Sequence, residues 1–102
     1  MTRVCLIGLG KTGVEIAKVL LEQKDINLVA AVCSSRSDKK GKDLGEIMGC
    51  FKTGLIIDGS DDLEQVIFRT KPDVVVDFSN PESTVRNAKI FSRMKVNMVV
   101  GT

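Results

Sequence analysis

Among its 102 residues the chain has no histidine, no tryptophan and no tyrosine. General acid–base chemistry near neutral pH therefore lacks its commonest carrier. Four phenylalanines are the whole aromatic complement, too few for a surface that stacks nucleic-acid bases. The formal net charge is only +2, which gives no bulk attraction to nucleic acid or to a membrane surface. Three cysteines, an odd number without metal-ligand pairing, fit reduced thiols in the cytosol better than a disulfide framework or a metal site. No apolar run approaches the length of a membrane span. The first such run breaks at glycines and is followed by Lys11, Glu15 and Lys18, which does not read as a signal peptide. The expectation is a cytoplasmic protein with no metal, no nucleic acid and no membrane among its partners. Its length suits one core but is small for a complete two-substrate enzyme.

What is present is organised around Val4-Cys5-Leu6-Ile7-Gly8-Leu9-Gly10-Lys11-Thr12-Gly13-Val14-Glu15-Ile16-Ala17. It reads as a buried strand, a glycine turn and the start of an amphipathic helix. The G-x-G-x-x-G spacing has a physical reason at each glycine. Gly8 permits the tight turn, Gly10 lets backbone approach a pyrophosphate, and Gly13 lets the helix pack closely on the strand. The helix N-terminus adds unpaired N–H groups and a positive dipole end. Glycine turns also join strands to helices for packing alone. Here the strand before, the helix after and a second strand at βαβ spacing favour a dinucleotide site. A phosphate loop ending on Gly10-Lys11-Thr12 would need glycine five residues before Gly10, where Cys5 stands.

Strands and helices alternate along the rest. The periodicity predicts strands at Arg3–Ile7, Asn27–Cys33, Leu55–Ile57, Asp73–Phe78 and Asn97–Val100. Helices are predicted from the glycine turn to about Gln23, over Asp43–Met48, after an Asp61/Glu64 capping box, and from Pro81 to about Met94 behind an Asn80 cap. The first helix should turn Val14, Ala17 and Leu21 inward, and the last Val85, Ala88, Phe91 and Met94. No internal repeat or low-complexity linker interrupts the pattern. The fold class expected is α/β: a Rossmann-type, doubly wound parallel sheet of five strands in the order 3-2-1-4-5, with a ligand crevice between strands one and four.

At Asp77-Phe78-Ser79-Asn80-Pro81-Glu82 the pattern becomes specific. A strand ending in D-F-[ST]-x-P-E, followed by a helix and a strand ending in Gly-Thr, resembles the N-terminal domain of dihydrodipicolinate reductases of lysine biosynthesis. The Leu-Val-Ala-Ala-Val second strand and Gly41-Lys-Asp-Leu-Gly-Glu46 fit the same family, so the resemblance spans essentially the whole chain. It implies an NAD(P)H-dependent oxidoreductase that passes a hydride to a cyclic dicarboxylate. It also implies that residues 1–102 are the dinucleotide-binding domain, and that the proton donor and substrate-carboxylate binders belong to a following C-terminal domain, through which the parent would be a homo-oligomer. The chain stops directly after a strand, as if cut from that longer protein, and by itself is expected to bind cofactor and turn nothing over. The family's loop usually runs G-x-x-G-[RK]-M-G, one residue longer than Gly8–Gly13. The shorter loop also occurs in diaminopentanoate dehydrogenases and other amino-acid dehydrogenases, which remain alternatives. So do a non-enzymatic nucleotide-sensing module and a CoA-binding domain.

Carried over by position, Gly8, Leu9, Gly10, Lys11, Thr12 and Gly13 would wrap the pyrophosphate. Ser79 would lie under the nicotinamide ribose or ring unless it merely caps the helix. Gly101 and Thr102 would sit near the nicotinamide. No catalytic residue is expected within the chain. NAD sites place an acid about 20 residues past the glycine motif, and counting from Gly13 lands on Cys33. Ser34, Ser35 and Arg36 follow, two hydroxyls and a guanidinium suited to a 2′-phosphate, so NADP(H) is the expected cofactor, with NAD(H) possible. Lys39 to Lys42 read as a solvated loop, from which Lys39 and Lys40 could add a weaker, screened attraction to that phosphate.

Overall fold

A computed structural model describes residues 1–101. The order of elements is β1 (Thr2–Ile7), α1 (Lys11–Glu22), β2 (Ile26–Cys33), α2 (Leu44–Met48), β3 (Asp58–Gly59), a 3-10 turn at Ser60–Asp62, α3 (Leu63–Thr70), β4 (Val74–Asp77), α4 (Pro81–Met94) and β5 (Asn97–Val100). All strands are parallel in one sheet ordered β3-β2-β1-β4-β5, the doubly wound Rossmann-type arrangement expected.

Side-chain alternation along β1 divides the core between the two faces of the sheet. Val4 and Leu6 pack with Leu9, Ala17, Leu44 and Ile57 on the α1–α2 side. Cys5 and Ile7 pack with Leu63, Val66, Ile67, Val75 and Phe91 on the α3–α4 side. The neighbouring β2 would break this parity, since Leu28 lies on the first face and Ala30 on the second. A register shift between Val4 and Cys5 resolves it: Val4 pairs with Leu28 and Cys5 with Ala30, so Val29 is the extra residue of a bulge. At the foot of the sheet Arg3 Nη2 donates to Thr70 O at 2.5 Å, at the C-terminus of α3, and Arg3 N donates to Asp73 Oδ2 at 2.8 Å.

Several local expectations are corrected. Residues 55–57 are extended, but their backbone does not join the sheet. Leu44 N donates to Leu55 O, Ile57 N to Lys42 O and Gly41 N to Ile57 O, so this segment pairs with the loop ahead of α2 and only Asp58–Gly59 reaches β2. The Asp61/Glu64 box does not form, because a 3-10 turn places Asp62 at the N-cap of α3 without a side-chain bond, and Glu64 pairs with Arg93 instead. On α1, Leu21 is exposed, and the buried residues are Gly13 and Ala17. On α4, Phe91 is buried as expected, whereas Val85 and Ala88 are exposed and Asn87 lies inside. The sheet-facing stripe is set by a polar partner for Asn87 rather than by hydrophobicity alone.

Candidate functional site

The C-terminal ends of β1 and β4 diverge into two helix-bearing turns. After Ile7 the chain reverses at Gly8, whose φ is +97°. Its N–H donates to Val32 O at 2.8 Å, and a Cβ there would come within 2.6 Å of the Phe78 carbonyl carbon. Gly13, in the first turn of α1, has no room either, since a Cβ would lie 1.8 Å from Gly8 O. These two glycines are required by the fold itself.

Gly10 is not. It is the N-cap of α1 with φ −74° and ψ −167°, extended backbone open to any residue, and a methyl group there would meet nothing within 4 Å. It makes no side-chain cap, and no acid occupies the first turn. The bare end of α1 is left facing open space, which suits an anion.

On the other rim β4 ends in Asp77, fully buried although it is a carboxylate. It accepts from Ser79 N at 2.8 Å, Ser79 Oγ at 2.5 Å and Asn87 Nδ2 at 3.1 Å. Three donors to one buried carboxylate offset its loss of water. Asp77 is therefore more than a strand-end turn former, because it fixes the Ser79 hydroxyl and draws Asn87 inward. Asn80, not Ser79, caps α4, its side chain accepting from Ser83 N at 2.9 Å.

Between the two rims lies a cavity of about 390 Å³, in the range of small-molecule sites. Gly8, Leu9, Gly10, Ser34 and Ser79 line it. Lys11 borders a shallower groove that also starts at Gly10, and exposed Thr12 follows it in the first turn of α1. Gly13 lies buried beneath Gly8. Ser35 turns away to accept from Asp61 N at 2.8 Å, and Arg36 is exposed, its backbone N–H donating to Ser34 Oγ at 3.3 Å. Gly101 N donates to Asp77 O at 2.9 Å, which holds it beside the cleft outside the lining residues; Thr102 lies beyond the described residues.

Sequence reasoning missed the inward contact of Lys39, which is no solvated lysine: its Nζ donates to Leu9 O and it lines the cavity. Nothing in its basic run marked this bond, because it reaches back 30 residues across α1 and β2. It also missed Ser83, Arg86 and Asn87. Their signal was the polar stripe Asn80, Ser83, Asn87 at spacing i, i+3, i+7, which puts three polar groups on one helical face. Cys33 stands on the floor of the cleft, where burial pushes its thiol pKa up, partly countered by Ser37 and by Lys39 and Lys40. Among the described residues no cluster of three or more histidine, cysteine, aspartate or glutamate side chains could hold a metal, and no helix is long and apolar enough to cross a membrane.

Comparison with known proteins agrees with this geometry. Residues 2–102 match the family described as dihydrodipicolinate reductase, N-terminus. A 4-hydroxy-tetrahydrodipicolinate reductase of Methanocaldococcus jannaschii is 40% identical over 103 residues, covering 100% of this chain and 38% of that protein. The chain thus spans well under half the length of the curated relatives it matches. Among solved structures, an amine dehydrogenase from Mycobacterium smegmatis aligns with a TM-score of 0.84 at 30% identity, over 97% of this chain and 29% of the other. A dipicolinate-bound dihydrodipicolinate reductase from Paenisporosarcina sp. TG-14 aligns with a TM-score of 0.73 at 26% identity, over 100% of this chain and 37% of the other.

Proposed function

This chain belongs to the family of dihydrodipicolinate reductase N-terminal domains, and from that membership we propose that it is the nicotinamide-dinucleotide-binding domain of such a reductase. Hydride transfer to a cyclic dicarboxylate is the parent's reaction in this reading, with the substrate-binding residues in a further domain. The observation that carries it is Gly10. Of the three motif glycines it alone has neither a positive φ nor a neighbour that forbids a side chain. Glycine there is explained by a ligand that must approach backbone, and the uncapped, acid-free start of α1 supplies the N–H groups such a ligand would need.

In this reading the pyrophosphate lies over Gly8-Leu9-Gly10 at the head of α1, with Lys11, Thr12 and Gly13 in the first helical turn. The nicotinamide half extends towards Ser79 and Gly101, where Asp77 holds the Ser79 hydroxyl in one orientation. The bound cofactor would supply the hydride; the chain's residues would place it at the open mouth of the crevice. The adenosine end lies towards Cys33, Ser34 and Lys39. We assign it a preference for NADP(H), because Cys33 cannot bind two ribose hydroxyls as an acid does, and because Arg36 and Lys39 would supply the cations for a 2′-phosphate there. Three unbridged thiols fit a cytoplasmic setting.

Calorimetric titration of the 102-residue chain with NADPH and NADH tests the proposal, using Gly10→Val as the partner variant. The valine side chain should abolish binding of both cofactors while the thermal transition survives. Unchanged affinity in a folded Gly10→Val variant would return the glycine motif to a packing role.

A further inference from the structure

Arg86 is the one cationic side chain on the β4–α4 rim of the cavity; Lys39 is its counterpart on the β2 rim. The Lys39 ammonium is already engaged with Leu9 O. Arg86 is not comparably engaged. Among the described residues Arg69 pairs with Asp58 and Arg93 with Glu64, while Arg3 is spent on the carbonyls of Thr70 and Lys71. Arg86 has no carboxylate partner among the described residues, and its one hydrogen bond goes from Nη2 to Ser83 Oγ at 3.1 Å. A guanidinium carries five N–H donors in a planar fork, so most of that fork remains free at the cavity. Ser83 lines the same cavity, and since its Oγ accepts from Arg86, its own hydroxyl proton remains to be donated.

The cleft needs such donors. Behind its lining residues Ser79 and Asn87 lies the buried Asp77 carboxylate, held only by neutral groups, the Ser79 N–H and hydroxyl and the Asn87 amide. An anion in the cavity therefore lies over a carboxylate that has no cationic hydrogen-bond partner among the described residues. The glycine turn and the start of α1 cover the anion from one side only.

We infer that Arg86 and Ser83 form a second anion-holding arm, which grips the cofactor pyrophosphate from the rim opposite the glycine turn. This rests on the dinucleotide reading above and adds to it a side chain that the glycine motif does not contain. A carboxylate of the substrate is the rival anion for Arg86. The pyrophosphate is favoured because Arg86 shares one continuous cavity with Gly8 and Gly10.

The test compares Arg86→Ala with the wild-type 102-residue chain in titrations with NADPH, ADP-ribose and adenosine 2′-monophosphate. Arg86 is exposed and makes no ion pair among the described residues, so the variant should keep the wild-type melting curve. NADPH and ADP-ribose, which both carry the pyrophosphate, should bind on the order of tenfold more weakly, and adenosine 2′-monophosphate, which carries no 5′-phosphate, equally well. The affinity of the variant should also fall less steeply with added salt, and Arg86→Lys should recover part of the loss at low ionic strength. Wild-type protein that binds neither NADPH nor ADP-ribose would overturn the domain reading and this inference together. Wild-type binding with unchanged NADPH and ADP-ribose affinities in Arg86→Ala would overturn this inference alone and give Arg86 to an anion of the substrate.

Discussion

Replacing Gly13 with alanine should unfold the chain at a markedly lower temperature, although alanine is the better helix former. The added Cβ would lie 1.8 Å from Gly8 O and 2.7 Å from Gly8 C. Ordinary van der Waals contact begins at about 3.5 Å, so more than an ångström must be recovered. No side chain can rotate out of the way, because the obstacle is backbone. Gly8 cannot yield either, since its N–H is tied to Val32 O and its outer side abuts the Phe78–Ser79 peptide. The first turn of α1 must therefore lift from the end of β1, loosening Leu9 and Ala17 in the core beneath it. Overpacking of this kind costs about 1–3 kcal/mol, with a rigid obstacle placing it at the upper end. Helix propensity returns at most about 1 kcal/mol. The net loss is about 2 kcal/mol, which for a domain of this size lowers the melting midpoint by roughly 8–16 °C. Calorimetry on wild type, Gly13→Ala and Gly10→Ala would measure it. The Gly10 variant is the control: its methyl meets nothing within 4 Å, and only a fraction of a capping preference, below about 1 kcal/mol, is at risk. A Gly13→Ala protein that melts at or above the wild-type temperature would refute the reasoning.

Arg36→Ala should weaken NADPH binding by about 1–3 kcal/mol and leave NADH nearly unchanged; equal losses, or a wild-type preference for NADH, would end the NADP assignment. Asp43 accepts from Gly45 N, Thr53 N, Thr53 Oγ1 and Gly54 N, and these bonds, the Thr53 N–H foremost, lower its pKa from 3.8 to about 2. A carboxyl whose pKa is depressed by folding stabilises the fold above its unfolded value and loses that contribution as pH falls through the folded one. Acid titration followed by circular dichroism should show this component disappearing between about pH 4 and pH 2, and Asp43→Asn should lack it. In a thiol-reagent time course, exposed Cys50 should react first. Cys5, its pKa pushed up to about 12 by burial and then by Asp58 and Asp77, should react only on unfolding; early labelling of Cys5 would contradict its place in the core.

The sheet order was legible because β1, β2 and β5 are apolar runs separated by helical periodicity, and a right-handed parallel crossover leaves few arrangements. Pro81 and Asn80 marked the start of α4 by local chemistry alone. What was illegible depends on partners far away in the chain. Leu55-Ile56-Ile57 has the composition of a sheet strand, and only its bonds to residues 41–44 divert it. Asn87 looks like a surface residue until Asp77, ten positions earlier, gives it a reason to be buried. The same holds in the cleft. Gly8, Gly10, Ser34 and Ser79 could be read from motif spacing, whereas Lys39 and Arg86 reach it from a loop and a helical flank that no motif describes.

The position of β1 in the middle of the sheet also decides when the protein can fold. β1 is made first, yet its partner on one side, β4, follows far behind: Arg3 N bonds an Asp73 that lies 70 residues along the chain. At about 5–20 residues per second, a ribosome takes roughly 4–14 s to cover that distance. Throughout it β1 can pair only with β2, and the face carrying Cys5 and Ile7 has neither Val75 nor Phe91 to cover it. Parallel pairing across such a separation is slow to nucleate even in the finished chain. The nascent half-sheet is thus the species most exposed to wrong partners, and slower translation between Cys33 and Val74 would lengthen the interval.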